Sequence, residues 1–363
     1  MRILHVDSAA TWRGGQNQVL LAARGMAERG HDVTVAVRPG GALESRLQAC
    51  GLRTRPLRLR GDLAAGAALR LARACRELKP DVVHTHDSHA TSAAALASLV
   101  GPRPWLVATR RVDFALRGAF SRWKYRRCAR LIAVSQAVRA VLVHDGLASE
   151  HLRLVHDGVS DRPKQPGGRE ALAGLGVPED AAVVGNVAAL TDHKDHATLI
   201  GAAEEVIGHL PQTRFVIVGE GELRADLEAR VRERGLSGRV LLLGQRDDVD
   251  RLLPAFNVFC LSSHMEGLGT SLLDAMMFGV PIVGTAAGGI PEAVADGVSG
   301  RLVPPRSPRL LAAALIEVLR DATLSARLAR AGRRRYEDGF RAEQMVEKTL
   351  EVYEERTCTS AQS

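Results

Sequence analysis

A chain of 363 residues with 46% hydrophobic and 25% charged content can bury two separate cores and is too apolar to remain disordered. The formal net charge of +8 favours acidic partners such as phosphorylated sugars or anionic lipid, whereas 4% aromatic residues without an aromatic–basic stripe speak against base stacking on nucleic acid. The five cysteines (Cys50, Cys75, Cys128, Cys260, Cys358) are odd in number and lack metal-ligand spacing, so a reducing compartment is expected.

The chain opens on a strand, Ile3–Val6, rather than on an apolar segment of signal-peptide length. A helix is predicted over about Gln16–Arg29, ended by Gly30, then a strand over Val33–Val37 and a short helix closing at Arg46–Cys50. Leu69–Leu78 reads as a helix stopped by Pro80, Val82–His86 as a strand, and Ala90–Leu99 as an Ala-rich helix. Leu106–Thr109 and Leu131–Val134 are further strands. Polarity and proline then rise over Asp161–Gly168, the composition of an interdomain linker. A second strand–helix series runs through Ala182–Val187, Phe215–Val218, Val240–Leu243, Val258–Leu261, Ile282–Val283 and Arg301–Val303. It is followed by an amphipathic helix, Ala342–Glu355, with Met345, Val346, Leu350 and Tyr353 on its apolar side, and by a small polar tail expected to fray. The rhythm predicts an α/β protein of two doubly wound, parallel-sheet domains, with ligands bound in a cleft at the carboxyl ends of both sheets. No run approaches the roughly 20 apolar residues that cross a bilayer. The expected location is cytoplasmic, with contact at the inner face of the membrane still open.

The densest chemistry lies in Ser262–Glu292, SSHMEGLGTSLLDAMMFGVPIVGTAAGGIPE. Glu266 precedes the turn Gly267-Leu268-Gly269. Thr270 and Ser271 follow as candidate helix caps. A helix start rich in glycine and hydroxyls presents free N–H groups and a positive dipole end, which suits phosphate. Asp274, about two turns further on, can accept from vicinal ribose hydroxyls. Diphosphate and ribose together describe a nucleotide, and Glu266 then sits where a nucleotide-linked group projects. Lys194, in a strand-end loop, can neutralise a diphosphate leaving group. Gly14 and Gly15, between the first strand and helix, let the backbone approach a ligand closely. Gln16 and Asn17 follow at the helix start.

His84, His86 and His89 cluster at a strand end, yet no third-ligand pattern completes a metal site, and His86 is read as a sugar or acceptor contact. Gly219-Glu220-Gly221 lacks the third glycine of a dinucleotide fingerprint. Arg117–Arg130 carries six basic residues and no acid, with Phe120, Trp123 and Tyr125 interspersed. It reads equally as a segment resting on an anionic leaflet and as a solvated helix with its aromatics turned inward.

The Ser262–Glu292 stretch resembles the glutamate-x7-glutamate signature of family 4 retaining glycosyltransferases, with Asp274 as the second acid. The blocks Arg13-Gly14-Gly15, His84-Thr85-His86, Ala133-Val134-Ser135, His156-Asp157-Gly158-Val159, the Lys194 loop and Leu243-Gly244-Gln245-Arg246 follow in the family's order, over most of the chain. The resemblance implies the GT-B architecture: an acceptor-binding domain over 1–165, a nucleotide-sugar-binding domain over 166–338, and a helix within 339–363 returning to the first. It implies catalytic roles for Glu266, Lys194 and His86. It implies donor contacts from Gly14, Gly15, Lys194, Gly219, Arg246, Glu266, Gly267, Leu268, Gly269, Thr270, Ser271 and Asp274, and acceptor contacts from Gln16, Asn17, Arg110 and Arg111. The arginine that the family carries shortly before the lysine is replaced by Ala188 or Ala189, so Arg246 or an arginine of the first domain is expected to compensate. Arg110-Arg111 stand where the family often has histidine and suggest an anionic group nearby. Asp248-Val249-Asp250 matches a metal motif of a different glycosyltransferase architecture but is read as a helix opening. The implied reaction moves a hexose- or heptose-like sugar from a nucleotide diphosphate to a hydroxyl with retention, without metal or cofactor. The implied acceptor is an envelope glycan or lipid-linked sugar, such as a lipopolysaccharide core. A sugar-nucleotide epimerase and a catalytically silent binding protein of the same architecture are the alternatives.

Overall fold

The computed structural model describes residues 1–59 and 64–360. It divides into two compact units, Met1–Ser160 with Ala342–Ser363, and Asp161–Arg341.

The first unit is built on a parallel sheet of β1 (Arg2–Val6), β2 (Asp32–Val37), β3 (Arg53–Pro56), β4 (Val82–Thr85), β5 (Trp105–Arg110), β6 (Arg130–Ala133) and β7 (Leu152–Leu154), in the order β3-β2-β1-β4-β5-β6-β7. Central strands of such a sheet are covered on both faces and read as apolar runs, and Ile3, Val35, Val82, Val107 and Ile132 form the core. The sequence did not announce β3 and β7. They are the two edges, Arg-Thr-Arg-Pro and Leu-Arg-Leu, short and charged, with no apolar run to read.

The helix Ala342–Ser360 belongs to this first unit, as the resemblance implied, and it extends past the expected end at Glu355. Met345, Val346, Leu350 and Tyr353 join the core. Gly25, on the helix Gly14–Glu28, meets it: a Cβ there would lie 2.8 Å from Val346 Cγ2. Glu355 closes the contact by pairing with Arg130 (2.5 Å) and Arg153 (2.6 Å). Residues 361–363 of the expected tail lie outside the described residues.

The second unit carries a parallel sheet of β8 (Ala182–Val187), β9 (Thr213–Val218), β10 (Val240–Leu242), β11 (Val258–Leu261), β12 (Ile282–Thr285) and β13 (Arg301–Val303), in the order β10-β9-β8-β11-β12-β13. Val184, Phe215, Ile217, Val258, Cys260 and Val283 lie in its core, where Cys260 packs as a small apolar side chain. The unit begins at Asp161, short of the expected boundary at 165/166. The reason is local: Asp161 takes both guanidinium nitrogens of Arg333 at 3.0 Å, and Arg162 pairs with Asp250 and Asp274, all within this unit.

Each sheet reverses its winding once, between β1 and β4 in the first unit and between β8 and β11 in the second. Loops leaving adjacent carboxyl ends at such a point diverge to opposite faces and leave a crevice for a ligand.

Candidate active site

In the second unit the two loops at the reversal carry Lys194, after β8, and Glu266, after β11. Their side chains form an ion pair and keep 17% and 11% of their surface exposed. Ser262 Oγ donates to the Lys194 carbonyl (3.0 Å), Ser263 Oγ donates to Glu266 Oε2 (3.1 Å), and the His264 N–H donates to the His193 carbonyl (3.0 Å). Asp195, in the left-handed region at φ 47°, caps the next helix by accepting from the Thr198 N–H (3.1 Å) and hydroxyl (2.6 Å). Behind Glu266, the Gly289 N–H donates to the Glu266 carbonyl (2.9 Å), and Gly288 makes the turn at φ 49°. The charge pair is thereby fixed from both loops before any ligand arrives.

Gly267, Leu268 and Gly269 are buried and lead into the helix Thr270–Phe278. Thr270 and Ser271 are not its caps. They are its first two residues, and Gly269, at φ 88°, occupies the capping position. Glycine offers no side-chain oxygen, and no side chain caps this helix among the described residues. The Leu272 N–H donates to the Gly269 carbonyl (2.9 Å), which leaves the N–H groups of Thr270 and Ser271 to an external acceptor and suits an anion better than the expected hydroxyl caps would.

Asp274 lies on the same helix with 23% of its side chain exposed. Arg162 pairs with its Oδ1 and also with Asp250 Oδ1 (3.1 Å). Burial pushes the Asp274 carboxyl up to about 6; Arg162 opposes that shift and Asp250 adds to it. Arg162 was legible only as part of a proline-rich linker, and no motif marks it.

Arg246 holds Asp248 through two hydrogen bonds of 2.7 and 2.8 Å, so it spends two N–H groups within its own loop. Asp248 and Asp250, the apparent metal motif, are each paired with an arginine. Gly219 and Gly221 have a packing explanation: a Cβ would lie 1.9 Å from the Ala188 carbonyl oxygen at the first and 2.2 Å from the Leu190 carbonyl oxygen at the second. Their backbone crosses directly over the loop where the family arginine is missing.

In the first unit, the reversal between β1 and β4 gathers the loop containing Gly14 and Gly15, which open the helix Gly14–Glu28, and the end of β4. Gln16 is buried and its Nε2 donates to Asp7 (3.1 Å), while Asn17 is half-buried beside it. Arg111 donates to Asp157 Oδ1 (3.0 Å), and its Cδ lies 3.9 Å from a Cβ position on Gly15. Arg110 is buried, donating to the Phe114 carbonyl and to the Tyr125 hydroxyl (3.3 Å). Both arginines are engaged within the protein.

His86 is part of a buried group that the sequence showed only in part. His5 joins it through the β1–β4 register, which sets His5 opposite His84. Nitrogens of His5, His84 and His86 lie within 4.8 Å of one another, a spacing compatible with a metal ion. Their lone pairs are used internally, however. Arg111 donates to His86 Nδ1 (3.3 Å), so the neutral ring carries its hydrogen on Nε2 and donates to His5 Nδ1 (2.8 Å). His84 bonds the Tyr353 hydroxyl (2.5 Å) and Thr109 Oγ1 (2.6 Å). Burial, with nearby positive charge, holds all three rings below the usual histidine range, His5 at about 3. The adjacent Arg111 guanidinium opposes a cation. His86 therefore has both ring nitrogens engaged.

The helix Ala119–Arg126 divides its side chains. Lys124 is 4% exposed and donates to the Ser88 carbonyl (2.8 Å) and to the hydroxyls of Ser88 (2.5 Å) and Ser92 (3.0 Å). Tyr125 is buried as well. Phe120 is 50% exposed and stacked on Trp123, and Val112, Phe114, Arg117, Arg122, Arg126 and Arg127 are exposed near it in sequence.

Two doubly wound units, one with an ammonium–carboxylate pair beside an uncapped helix start, define an α/β protein with a ligand crevice at each strand reversal. Comparison with known proteins narrows the class. The family described as Glycosyltransferase Family 4 matches residues 12–162, and Glycosyl transferases group 1 matches residues 169–335. The chain belongs to glycosyltransferase family 4 and has the GT-B fold. It is similar to the Vi polysaccharide biosynthesis protein VipC/TviE of Salmonella typhi, at 35% identity over 42% of this chain and 28% of that protein. It is 29% identical to the 2-deoxystreptamine N-acetyl-D-glucosaminyltransferase of Streptomyces fradiae, over 88% of this chain and 87% of that enzyme. The first of these relatives is thus matched over less than a third of its length. In fold it is similar to Anabaena Alr3699/HepE in complex with UDP and glucose, with a TM-score of 0.88, 22% identity, and 98% and 100% of the two chains covered.

Proposed function

We propose that this protein transfers a hexose- or heptose-like sugar from a nucleoside-diphosphate sugar to a hydroxyl acceptor with retention of anomeric configuration, without a metal ion. The observation that carries the reading is the Lys194–Glu266 pair, fixed at the strand reversal beside the uncapped start of Thr270–Phe278. Lys194 and the first-turn amides neutralise the diphosphate as it leaves, and Asp274 takes the ribose hydroxyls. Glu266 faces the transferred sugar. The bond from the anomeric carbon to the diphosphate breaks, the acceptor oxygen bonds to the same face, and the acceptor proton passes to the departing diphosphate. The chain's contribution is positioning and charge stabilisation.

The acceptor is an envelope glycan or lipid-linked sugar. The likeness to a polysaccharide biosynthesis protein supports this, as does the basic first unit. Phe114, the Phe120–Trp123 stack and the exposed Arg117, Arg122 and Arg126 rest on an anionic leaflet. The protein should cosediment with phosphatidylglycerol vesicles, less so at high salt. Cosedimentation unchanged by Arg117→Glu, Arg122→Glu and Arg126→Glu together would remove the membrane contact. Lys124, buried, is left out of that test.

The donor reading is tested by thermal shift against UDP-, GDP- and ADP-sugars, since a ligand that binds the native state raises the melting temperature. One class should stabilise the protein and be consumed only when acceptor is present. Conversion without acceptor points to an epimerase, and binding with neither turnover nor hydrolysis to a silent protein. No shift with any class overturns the donor reading.

A further inference from the structure

Asp274 is one methylene shorter than the glutamate expected in its place, and an arginine holds it. Arg162 Nη2 takes Asp274 Oδ1, Nη1 takes Asp250 Oδ1 at 3.1 Å, and the guanidinium carbon stands 5.6 Å from the Phe278 ring centroid. The residue before it, Asp161, is tied to Arg333, which also donates to the Met277 carbonyl and to Glu337 at 2.7 Å. Two successive residues are therefore fastened to the helix Thr270–Phe278. Arg162 claims one oxygen of Asp274, and Oδ2 has no partner among the described residues.

We propose that Arg162 is a positioning residue for donor binding: it clamps Oδ1 of Asp274 and keeps that carboxylate charged and aimed, with Oδ2 left to accept a ribose hydroxyl. The inference rests on the reading of Asp274 as the ribose contact and adds the device that makes a short acid serve there. The chemistry follows from the charges facing Asp274. Asp250 repels it from the helix Val249–Leu252, Arg162 attracts it from the segment before Gly168–Ala173, and Arg333, on Ala322–Gly339, is committed to Asp161 and Glu337. Two carboxylates share one guanidinium, so the balance is narrow. Without Arg162, burial and Asp250 act unopposed, Asp274 takes up a proton at neutral pH, and a neutral carboxyl is the weaker acceptor for a hydroxyl.

The test compares binding of UDP, GDP and ADP with that of their 2′,3′-dideoxy counterparts by calorimetry on the full chain. At pH 7 the parent protein should favour the ribose form of whichever nucleotide binds by about tenfold, the worth of a hydrogen bond to a charged acceptor. Arg162→Ala should lose that preference at pH 7 and regain part of it at pH 8.5, where Asp274 ionises again. Asp250→Asn should act in the opposite sense and extend the preference to lower pH, a sign that mere loosening of the fold would not produce. Full preference retained by Arg162→Ala at pH 7 overturns the clamp alone. A ratio near one in the parent protein, or no binding of any of the three, overturns the ribose reading and the clamp with it. Should Arg162→Ala fail to fold, Arg162→Lys, which keeps the charge but not the fork, together with Asp250→Asn, decides by the direction of their pH shifts.

Discussion

The two strand reversals of this molecule handle polar side chains in different ways. In the second unit, Lys194 and Glu266 meet at the edge of solvent, bound to each other and backed by Ser262 and Ser263. In the first unit, His5, His84 and His86 lie within the interior; every nitrogen of His84 and His86 and the Nδ1 of His5 is bonded to Arg111, Tyr353, Thr109 or another ring of the group, and in this group His5 Nε2 alone is left without a partner among the described residues. Equivalent topology therefore yields a partly exposed charge pair in one place and an internal brace in the other. The difference lies in burial. A charge pair left accessible can exchange partners for a phosphate, whereas polar groups removed from water must be satisfied by the protein itself.

Four experiments would break or sharpen that contrast. The largest effect is expected at Lys124, a buried cation of the brace-like first unit: Lys124→Glu sets an anion against the Ser88 carbonyl and should cost about 3–5 kcal/mol in denaturant unfolding. A stability within about 1 kcal/mol of the parent would mean that this helix is not seated as described. Next, Lys194→Ala should lower the transfer rate on the order of a hundredfold, with little change in melting temperature. A loss below about threefold would deprive the second unit of its reactive cation.

The third contrast is in pH. Histidine in the unfolded chain titrates at 6.5, and burial holds His5 at about 3 in the fold. Above 6.5 both states are neutral and nothing is gained or lost. Below it the unfolded chain binds a proton that the fold refuses, so stability falls with pH, by about 2 kcal/mol at pH 5 from His5 alone. His84 and His86 shift in the same direction, while in the second unit His196, at about 4, is similarly held down by burial. Hydrogen exchange between pH 7.5 and 5 should therefore loosen first around β1 and β4; uniform protection would contradict the buried group. The smallest effect belongs to Tyr353→Phe, which removes the hydroxyl bonded to His84 and should cost about 1 kcal/mol in thermal unfolding while leaving nucleotide affinity unchanged. Weakened nucleotide binding in that variant would show that the brace and the site of the second unit are not independent.

Much of this architecture was legible in the chain. Apolar strands covered on both faces announce themselves, and the glycine, lysine and acid blocks stand in the chain where the second unit's strand reversal gathers them. The edge strands β3 and β7 did not, because a charged strand at the margin of a sheet carries no apolar signature. Thr270 and Ser271 were misread as caps because hydroxyl residues at a helix start suggest capping, whereas the backbone turns one residue earlier, at Gly269.

By itself, then, the sequence determined which segments alternate as strand and helix, and which carboxylates and cations stand at strand ends, since both follow from local periodicity and spacing. Only the tertiary structure decided that His5 completes the histidine group, that Lys124 turns inward, and that Arg162 takes hold of Asp274. Those contacts join residues far apart in the chain. Whether a charge ends up paired, buried or free depends on what packing brings beside it, which no local pattern records.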